Sequence, residues 1–313
     1  MDLGILGLGR MGISLGALAS DHGHRVHGWD PDVAARERAR ESGLQAAPTI
    51  ADLTAAMTRP RLLLMYVPHG APVDANLDAL LPIVEPGDVI ADGGNSHWED
   101  SIRRHERCRE HGVAFLDVGT SGGTSKALGW HGAAFMVGGD ADAFARAAPL
   151  LRDLAVDDGA VHHAGPAGAG HFTKLVHNAI EFGMLQSIAE GVELLHRSDY
   201  DLDLAALFEH YGHGTVIRSW LIELMANALR HEDAWDSLST EVEDTGEVVW
   251  VLRWALERDI PTPAVSSAQT ALMQSRDRDA PASKALALLR HEFGGHPVHR
   301  GADGRGSRGN GTG

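Results

Sequence analysis

Met1-Asp2-Leu3-Gly4-Ile5-Leu6-Gly7-Leu8-Gly9-Arg10-Met11-Gly12 opens the chain. A short apolar run, Leu3–Leu6, leads into a GxGxxG turn, and a helix-compatible segment takes over at Arg10. Each glycine has a physical task. Gly7 permits a tight turn, Gly9 lets the backbone approach a pyrophosphate, and Gly12 lets the helix pack closely. The N–H groups of the helix start, those of Leu8, Arg10 and Met11 among the loop's own, then offer hydrogen bonds and positive dipole to phosphates. An acid, Asp30, stands 18 positions after Gly12, at the end of the second apolar run. A carboxylate there accepts hydrogen bonds from a ribose 2′-hydroxyl and repels a 2′-phosphate. Pro31 and Asp32 follow, with no arginine beside them, so the reading is NAD rather than NADP.

Outward from this stretch, residues 1–165 alternate apolar runs with helical patterns. The runs are Leu3–Leu6, Val26–Trp29, Leu62–Val67, Val89–Ala91, Ala114–Val118 and Ala134–Val137. The helical patterns fall at 10–22, 33–42, 70–81, 97–111 and 141–154. This alternation predicts an α/β domain with a mostly parallel, doubly wound sheet of Rossmann type. After Gly165-Pro166 the pattern turns almost wholly helical, at 168–197, 203–212, 215–230, 246–258, 264–276 and 282–293. The expectation is a dinucleotide-binding domain over 1–165, an all-α domain over 166–296 and a disordered tail over 297–313.

Composition narrows the function. Lys+Arg of 27 against Asp+Glu of 43 gives a net charge of −16, which disfavours nucleic acid and anionic membranes as partners. No apolar run reaches the roughly 18–20 residues of a membrane span. The chain begins directly with a strand, which leaves no room for a signal peptide and points to a cytoplasmic location. Cys108 is the only cysteine, so neither an internal disulfide nor a cysteine-based zinc site is expected. His22, His24, His162 and His163 read as surface groups, and no metal is expected.

The second informative stretch runs from Gly168 to Gly183. On a helix, positions i, i+3, i+4 and i+7 share a face, and Lys174, His177, Asn178 and Glu181 occupy those offsets. Lys174 is one of only three lysines in a chain whose other cations are arginines. A lysine kept in this stripe suits a group that must lose its proton. Taken alone, the stripe also fits a solvated face carrying a Lys–Glu pair.

Several motifs together resemble the 6-phosphogluconate dehydrogenase (decarboxylating) family in its short-chain form. They are Gly-Leu-Gly-Arg-Met-Gly (7–12), Asp92-Gly93-Gly94-Asn95-Ser96, Gly119-Thr120-Ser121-Gly122-Gly123, the helix at 168–183 and Phe293-Gly294-Gly295-His296. They run in order over about residues 1–296; GxGxxG and Ser-Gly-Gly are shared with the wider β-hydroxyacid dehydrogenase superfamily. The resemblance implies three stages: hydride transfer from C3 of a sugar acid to NAD, loss of CO2, and protonation of the enediol at C1. Lys174 would serve as base and then acid, and Glu181 would protonate C1 from a cleft sealed from water. His177 and Asn178 would hold substrate hydroxyls. Asn95, Ser121, Gly122 and Gly123 would bind the carboxylate end, with Asn95 and Val67 also lining the cofactor. Thr245, Arg290 and His296 would bind the phosphate. The last two come in that family from a neighbouring subunit's C-terminal tail, which implies at least a homodimer.

Departures from the family pattern cluster at the phosphate end. Phe182 replaces a tyrosine, Glu243 a lysine and Leu272 an arginine, with Arg276 and Arg218 as local substitutes. The same chemistry on a related sugar or cyclitol acid therefore stays open. So do a non-decarboxylating β-hydroxyacid dehydrogenase or imine reductase, and an inactive NAD-binding regulator.

Overall fold

The computed structural model describes residues 1–125, 130–231, 235–277, 279–294 and 297–299. His296 and residues 300–313, most of the tail expected to be disordered, lie outside the described residues.

The chain starts with β1 (Asp2–Leu6), α1 (Arg10–Asp21), β2 (Arg25–Trp29), α2 (Val33–Glu41), β3 (Gln45–Ala46) and α3 (Ile50–Ala55). β4 (Leu62–Met65), α4 (Ala71–Leu80), β5 (Val89–Asp92), α5 (Trp98–Glu110), β6 (Ala114–Ser125), β7 (Trp130–Gly139), α6 (Ala141–Asp153) and β8 (Val161–Gly165) complete one sheet. Its order is β3-β2-β1-β4-β5-β6-β7-β8. Every pairing is parallel except β6 with β7. The order reverses at β1, and the crevice at such a switch point is where an open α/β sheet takes its ligand.

Alternate strand residues point to opposite faces, and both faces are covered. Leu3, Ile5, Leu62 and Leu64 pack with Leu15 and Leu150 on one side. Leu6, Leu63 and Met65 pack with Leu53, Val73 and Leu77 on the other. That is why these strands read as continuous apolar runs.

The helices that follow are α7 (Ala169–His196), α8 (Leu204–Gly212), α9 (Trp220–His231), α10 (Glu247–Leu256), α11 (Pro263–Arg276) and α12 (Pro281–Gly294). Contacts divide the chain into two compact units, Met1–Met184 with Gly246–Val265, and Leu185–Thr245 with Ser266–Gly313. The strands end at Gly165, as the change of pattern predicted, but the first unit extends further. Leu175 of α7 packs with Trp98 of α5 and Val251 of α10, with Phe172, Trp250 and Trp254 against them. The second unit has its own core of Val192, Phe208, Ile222 and Ala226.

The sequence reading missed β3, α3 and β8, and the length of the β6–β7 hairpin. Two of its surface histidines are also corrected. His24 bonds the N-terminal amine through Nδ1 (3.0 Å) and Asp153 Oδ2 through Nε2 (2.9 Å). His163 bonds the Gly139 carbonyl (2.8 Å) and stacks on Phe144.

Candidate active site

The first glycine loop is built as its spacing predicts. Gly7 has φ +95°, and a Cβ there would lie 2.2 Å from the Tyr66 carbonyl oxygen. A Cβ at Gly12 would lie 2.0 Å from the Gly7 carbonyl oxygen. Gly9 caps α1 without any side-chain hydrogen bond, and the space beside it is open. The helix start is thus left to an outside anion. Arg10 is exposed, Met11 tucks against the core, and Val67 lies half-buried at the loop after β4.

Asp30 has a structural task at the glycine loop. Its Oδ2 accepts the Leu8 N–H and its Oδ1 the Asp32 N–H, both at 2.8 Å. The carboxylate therefore ties the β2 end to the glycine loop, and its remaining lone pairs stay available to hydroxyls. Trp29, the residue before Asp30, lines a cavity of about 480 Å³ together with Thr49, Ala75, Asn76 and Ala79 among others. An uncapped helix start, an open Gly9 and a fixed acid fit the adenosine and pyrophosphate of a dinucleotide.

The helical stripe is assembled around His177. Its Nδ1 lies 3.3 Å from Lys174 Nζ, 3.2 Å from Asn178 Oδ1 and 3.7 Å from Glu181 Oε2. Protonated at Nδ1, the ring donates to the Asn178 carbonyl, which leaves Nε2 to accept the Ser121 hydroxyl at 3.3 Å. The four stripe residues and Ser121 therefore form one connected polar group. Burial pushes the Lys174 amine below the ordinary lysine range, and the charge of Glu181 opposes that shift. Glu181 itself keeps 38% of its side chain exposed. The water-free cleft expected around it is therefore not built within this unit.

Two features the sequence reading passed over aim α7. Asp117 of β6 is fully buried, and its two oxygens accept the Gly168 and His171 N–H groups, each at 2.8 Å. A carboxylate inside the apolar run Ala114–Val118 was the available signal, because a buried charge must find partners. Gly119 and Gly170 then let the helix sit against β6. A Cβ at Gly119 would lie 2.4 Å from Lys174 Cβ, and one at Gly170 would lie 2.3 Å from the Asp117 carbonyl oxygen.

Asn95 follows β5 on the Gly93-Gly94 turn, half-buried in the same unit. Ser121, Gly122 and Gly123 lie on β6 in its antiparallel pairing with β7. Thr245 and Arg290, both exposed, belong to the second unit. Arg276, offered above as a substitute phosphate ligand, is already engaged. It donates to Asp244 Oδ2 (3.0 Å) and the Val242 carbonyl (3.1 Å), and Gln269 donates to the same carboxylate oxygen. Among the described residues no group of three or more His, Cys, Asp or Glu is placed to hold a metal ion. No described helix is long and apolar enough to cross a membrane.

The model for the NAD binding domain of 6-phosphogluconate dehydrogenase matches residues 2–165, and that for the C-terminal domain of the same enzyme matches 170–304. The chain belongs to the 6-phosphogluconate dehydrogenase family. It is 39% identical over 300 residues to a Bacillus subtilis protein named "Putative 6-phosphogluconate dehydrogenase YqeC", covering 96% of this chain and 100% of that one. It is 37% identical to the NAD(+)-dependent, decarboxylating 6-phosphogluconate dehydrogenase of Haloferax volcanii, covering 96% of this chain and 99% of that one. Among solved structures, the Plasmodium falciparum 6-phosphogluconate dehydrogenase superposes with a TM-score of 0.81 at 29% identity. That match covers 96% of this chain and 67% of the longer one, whose structures include complexes with NADP+ and with 6-phosphogluconate. The family places this chain among the decarboxylating oxidoreductases, with NAD as cofactor.

Proposed function

We propose that the chain oxidises and decarboxylates 6-phosphogluconate to ribulose 5-phosphate and CO2, with NAD preferred over NADP. The observation that carries this reading is the intact stripe on α7, in which a half-buried Lys174 with a lowered pKa shares His177 with Glu181. The nicotinamide supplies the hydride acceptor when NAD is bound. Lys174, neutral, takes the C3 hydroxyl proton as the C3 hydride leaves, then returns it to the C3 oxygen while the C1 carboxylate departs as CO2. Glu181 delivers the proton that C1 of the resulting enediol needs. His177 and Asn178 orient the C3 oxygen and its neighbours, and Asn95 and Ser121 hold the carboxylate end. Asp30 supports NAD because a 2′-phosphate would meet its charge.

The phosphate end favours a second reading, the same chemistry on another sugar or cyclitol acid. Glu243 stands in the loop braced by Arg276 and Asp244, so Arg276 is not free to answer a dianion. Arg218, Arg290 and His296 would then have to supply the phosphate site, the last two from a partner subunit in a homodimer. NADH absorbance and trapped CO2, measured with 6-phosphogluconate, gluconate and each cofactor, test the proposal. Turnover of 6-phosphogluconate with NAD and equimolar CO2 is the expected result. Preference for gluconate or NADP, or oxidation without CO2, overturns it.

A further inference from the structure

Arg104 is wholly buried in the middle of α5, yet none of the roles above uses it. Its guanidinium reaches three places at once. Nε donates to Asp74 Oδ1 (2.9 Å) and Nη2 to Asp74 Oδ2 (3.3 Å), in the first turn of α4. Nη2 also donates to the Gly70 carbonyl (3.0 Å), at the end of the β4–α4 loop, where Gly70 has φ +80°. Nη1 faces Asp92 Oδ2 at 3.5 Å, and Asp92 is wholly buried too. Asp92 in turn accepts the Gly94 N–H (3.1 Å) and the Ser96 hydroxyl (2.7 Å), which bracket Asn95. Asp100 Oδ2 completes the surroundings at 3.9 Å.

Burying a guanidinium costs desolvation that its ion pairs often fail to return, and an apolar side chain of similar volume commonly serves stability as well or better. What an apolar side chain cannot do is hold two loops at a fixed separation. The loops here are 67–70 and 93–96, and they already touch through backbone: a Cβ on Gly94 would lie 2.8 Å from the Val67 carbonyl oxygen. The fork geometry of arginine matches the task, because one planar group can satisfy a carboxylate, a carbonyl and a second carboxylate together.

We propose that Arg104 is a positioning residue for the nicotinamide half of the cofactor, clamping the loop of Val67 to the loop of Asn95. The inference rests on the reading in which Val67 and Asn95 line the cofactor and Asn95 also meets the carboxylate end of the substrate, where the hydride is transferred, but not on the identity of the sugar acid. The ADP-ribose half is held elsewhere, by the Gly7–Gly12 loop and Asp30, which Arg104 does not touch.

That separation supplies the test. NADH and ADP-ribose affinities are measured by titration calorimetry on the full chain carrying Arg104→Lys, which keeps the charge but loses the fork. Ser96→Ala, which removes one link from Asp92 to the Asn95 turn, is the milder second variant. The expected result for Arg104→Lys is a loss of about tenfold in NADH affinity, of order 1.4 kcal/mol, with ADP-ribose binding within about twofold of the parent. Ser96→Ala shifts the same ratio by less. Equal weakening of both ligands would mean a general structural role and overturns the proposal, as does unchanged binding of both. If Arg104→Lys does not fold, Ser96→Ala decides: a fall in NADH affinity alone supports the clamp, and any other pattern overturns it. Failure of the sugar-acid reading would appear in turnover assays and leave these binding ratios untouched.

Discussion

Asp92, the last residue of β5, and Asp117 of β6 are register partners on adjacent strands, both fully buried, and each carboxylate is satisfied by a different device. Asp92 takes a guanidinium, a hydroxyl and one backbone amide. Asp117 takes two amides from the start of α7. The first aspartate fixes the turn that carries Asn95, and the second fixes the helix that carries Lys174. Two neighbouring strand residues therefore aim the two walls of the candidate active site.

Asp117→Asn should cost more than its near-identical shape suggests. An amide presents one oxygen and one NH2 where two backbone N–H groups need acceptors, so one donor is left facing another. An unsatisfied buried donor costs about 1–3 kcal/mol, and loss of the negative charge at a helix start adds about 0.3–1 kcal/mol. Denaturant unfolding should show a drop in that range. kcat should fall as well, because the error is passed along α7 to Lys174. An unfolding curve superimposable on the parent's would remove Asp117 as the anchor of this helix.

How much of this was legible in the sequence differs from residue to residue. Gly7, Gly9 and Gly12 act where their spacing placed them, because turn geometry is local. The stripe on α7 was likewise fixed by helical period alone. Strand β8 was missed because His162 and His163 interrupt its apolar pattern, although His163 in fact turns inward onto Phe144. Arg104 could not be told from Arg103 beside it: the former is fully buried and the latter about half exposed, a difference that only packing decides. The membership of α10 in the first unit is also a long-range matter, settled by Val251 meeting Trp98 and Leu175.

Gly119→Ala tests the contact between β6 and α7, the helix that carries Lys174. The added methyl would sit 2.4 Å from Lys174 Cβ and 2.7 Å from the Gly170 carbonyl oxygen, and the second of these is backbone that cannot swing aside. Overpacking of this kind costs about 1–3 kcal/mol. The helix must shift to relieve it, and Lys174 shifts with it. Turnover should fall at least tenfold, since about 1.4 kcal/mol in a barrier is a factor of ten. Near-parent kcat with lowered stability would show that α7 repacks without disturbing the stripe.

Cys108 should be silent in the native protein. It is fully buried on α5, and burial pushes its thiol up to about 12, so almost no thiolate exists near neutral pH. A thiol reagent such as DTNB should label no cysteine in the folded chain and one after denaturation. Labelling of the native chain on a fast timescale would mean that α5 opens locally, which would also weaken the case for Arg104 as a rigid clamp.

Lys174→Met should separate catalysis from stability. Desolvation lowers the folded pKa of Lys174, while the unfolded chain keeps an ordinary lysine. Between those two values the unfolded state binds more protons, so stability rises as pH increases through that window. Below that window the parent bears the full cost of a charged, half-buried amine. The methionine variant should be more stable than the parent at pH values below that window and should lose that component of the rise through it. Its turnover should vanish, and Lys174→Arg should be equally inactive because a guanidinium stays protonated. In the parent, kcat/KM should fall as pH drops below the lowered lysine value, since the base is then charged. Thermal unfolding of parent and variant at neutral and alkaline pH, set beside the pH–rate profile, checks both halves. A methionine variant less stable than the parent below that window would mean that the amine's hydrogen bonds outweigh its desolvation, and the lysine would then need another source for its basicity.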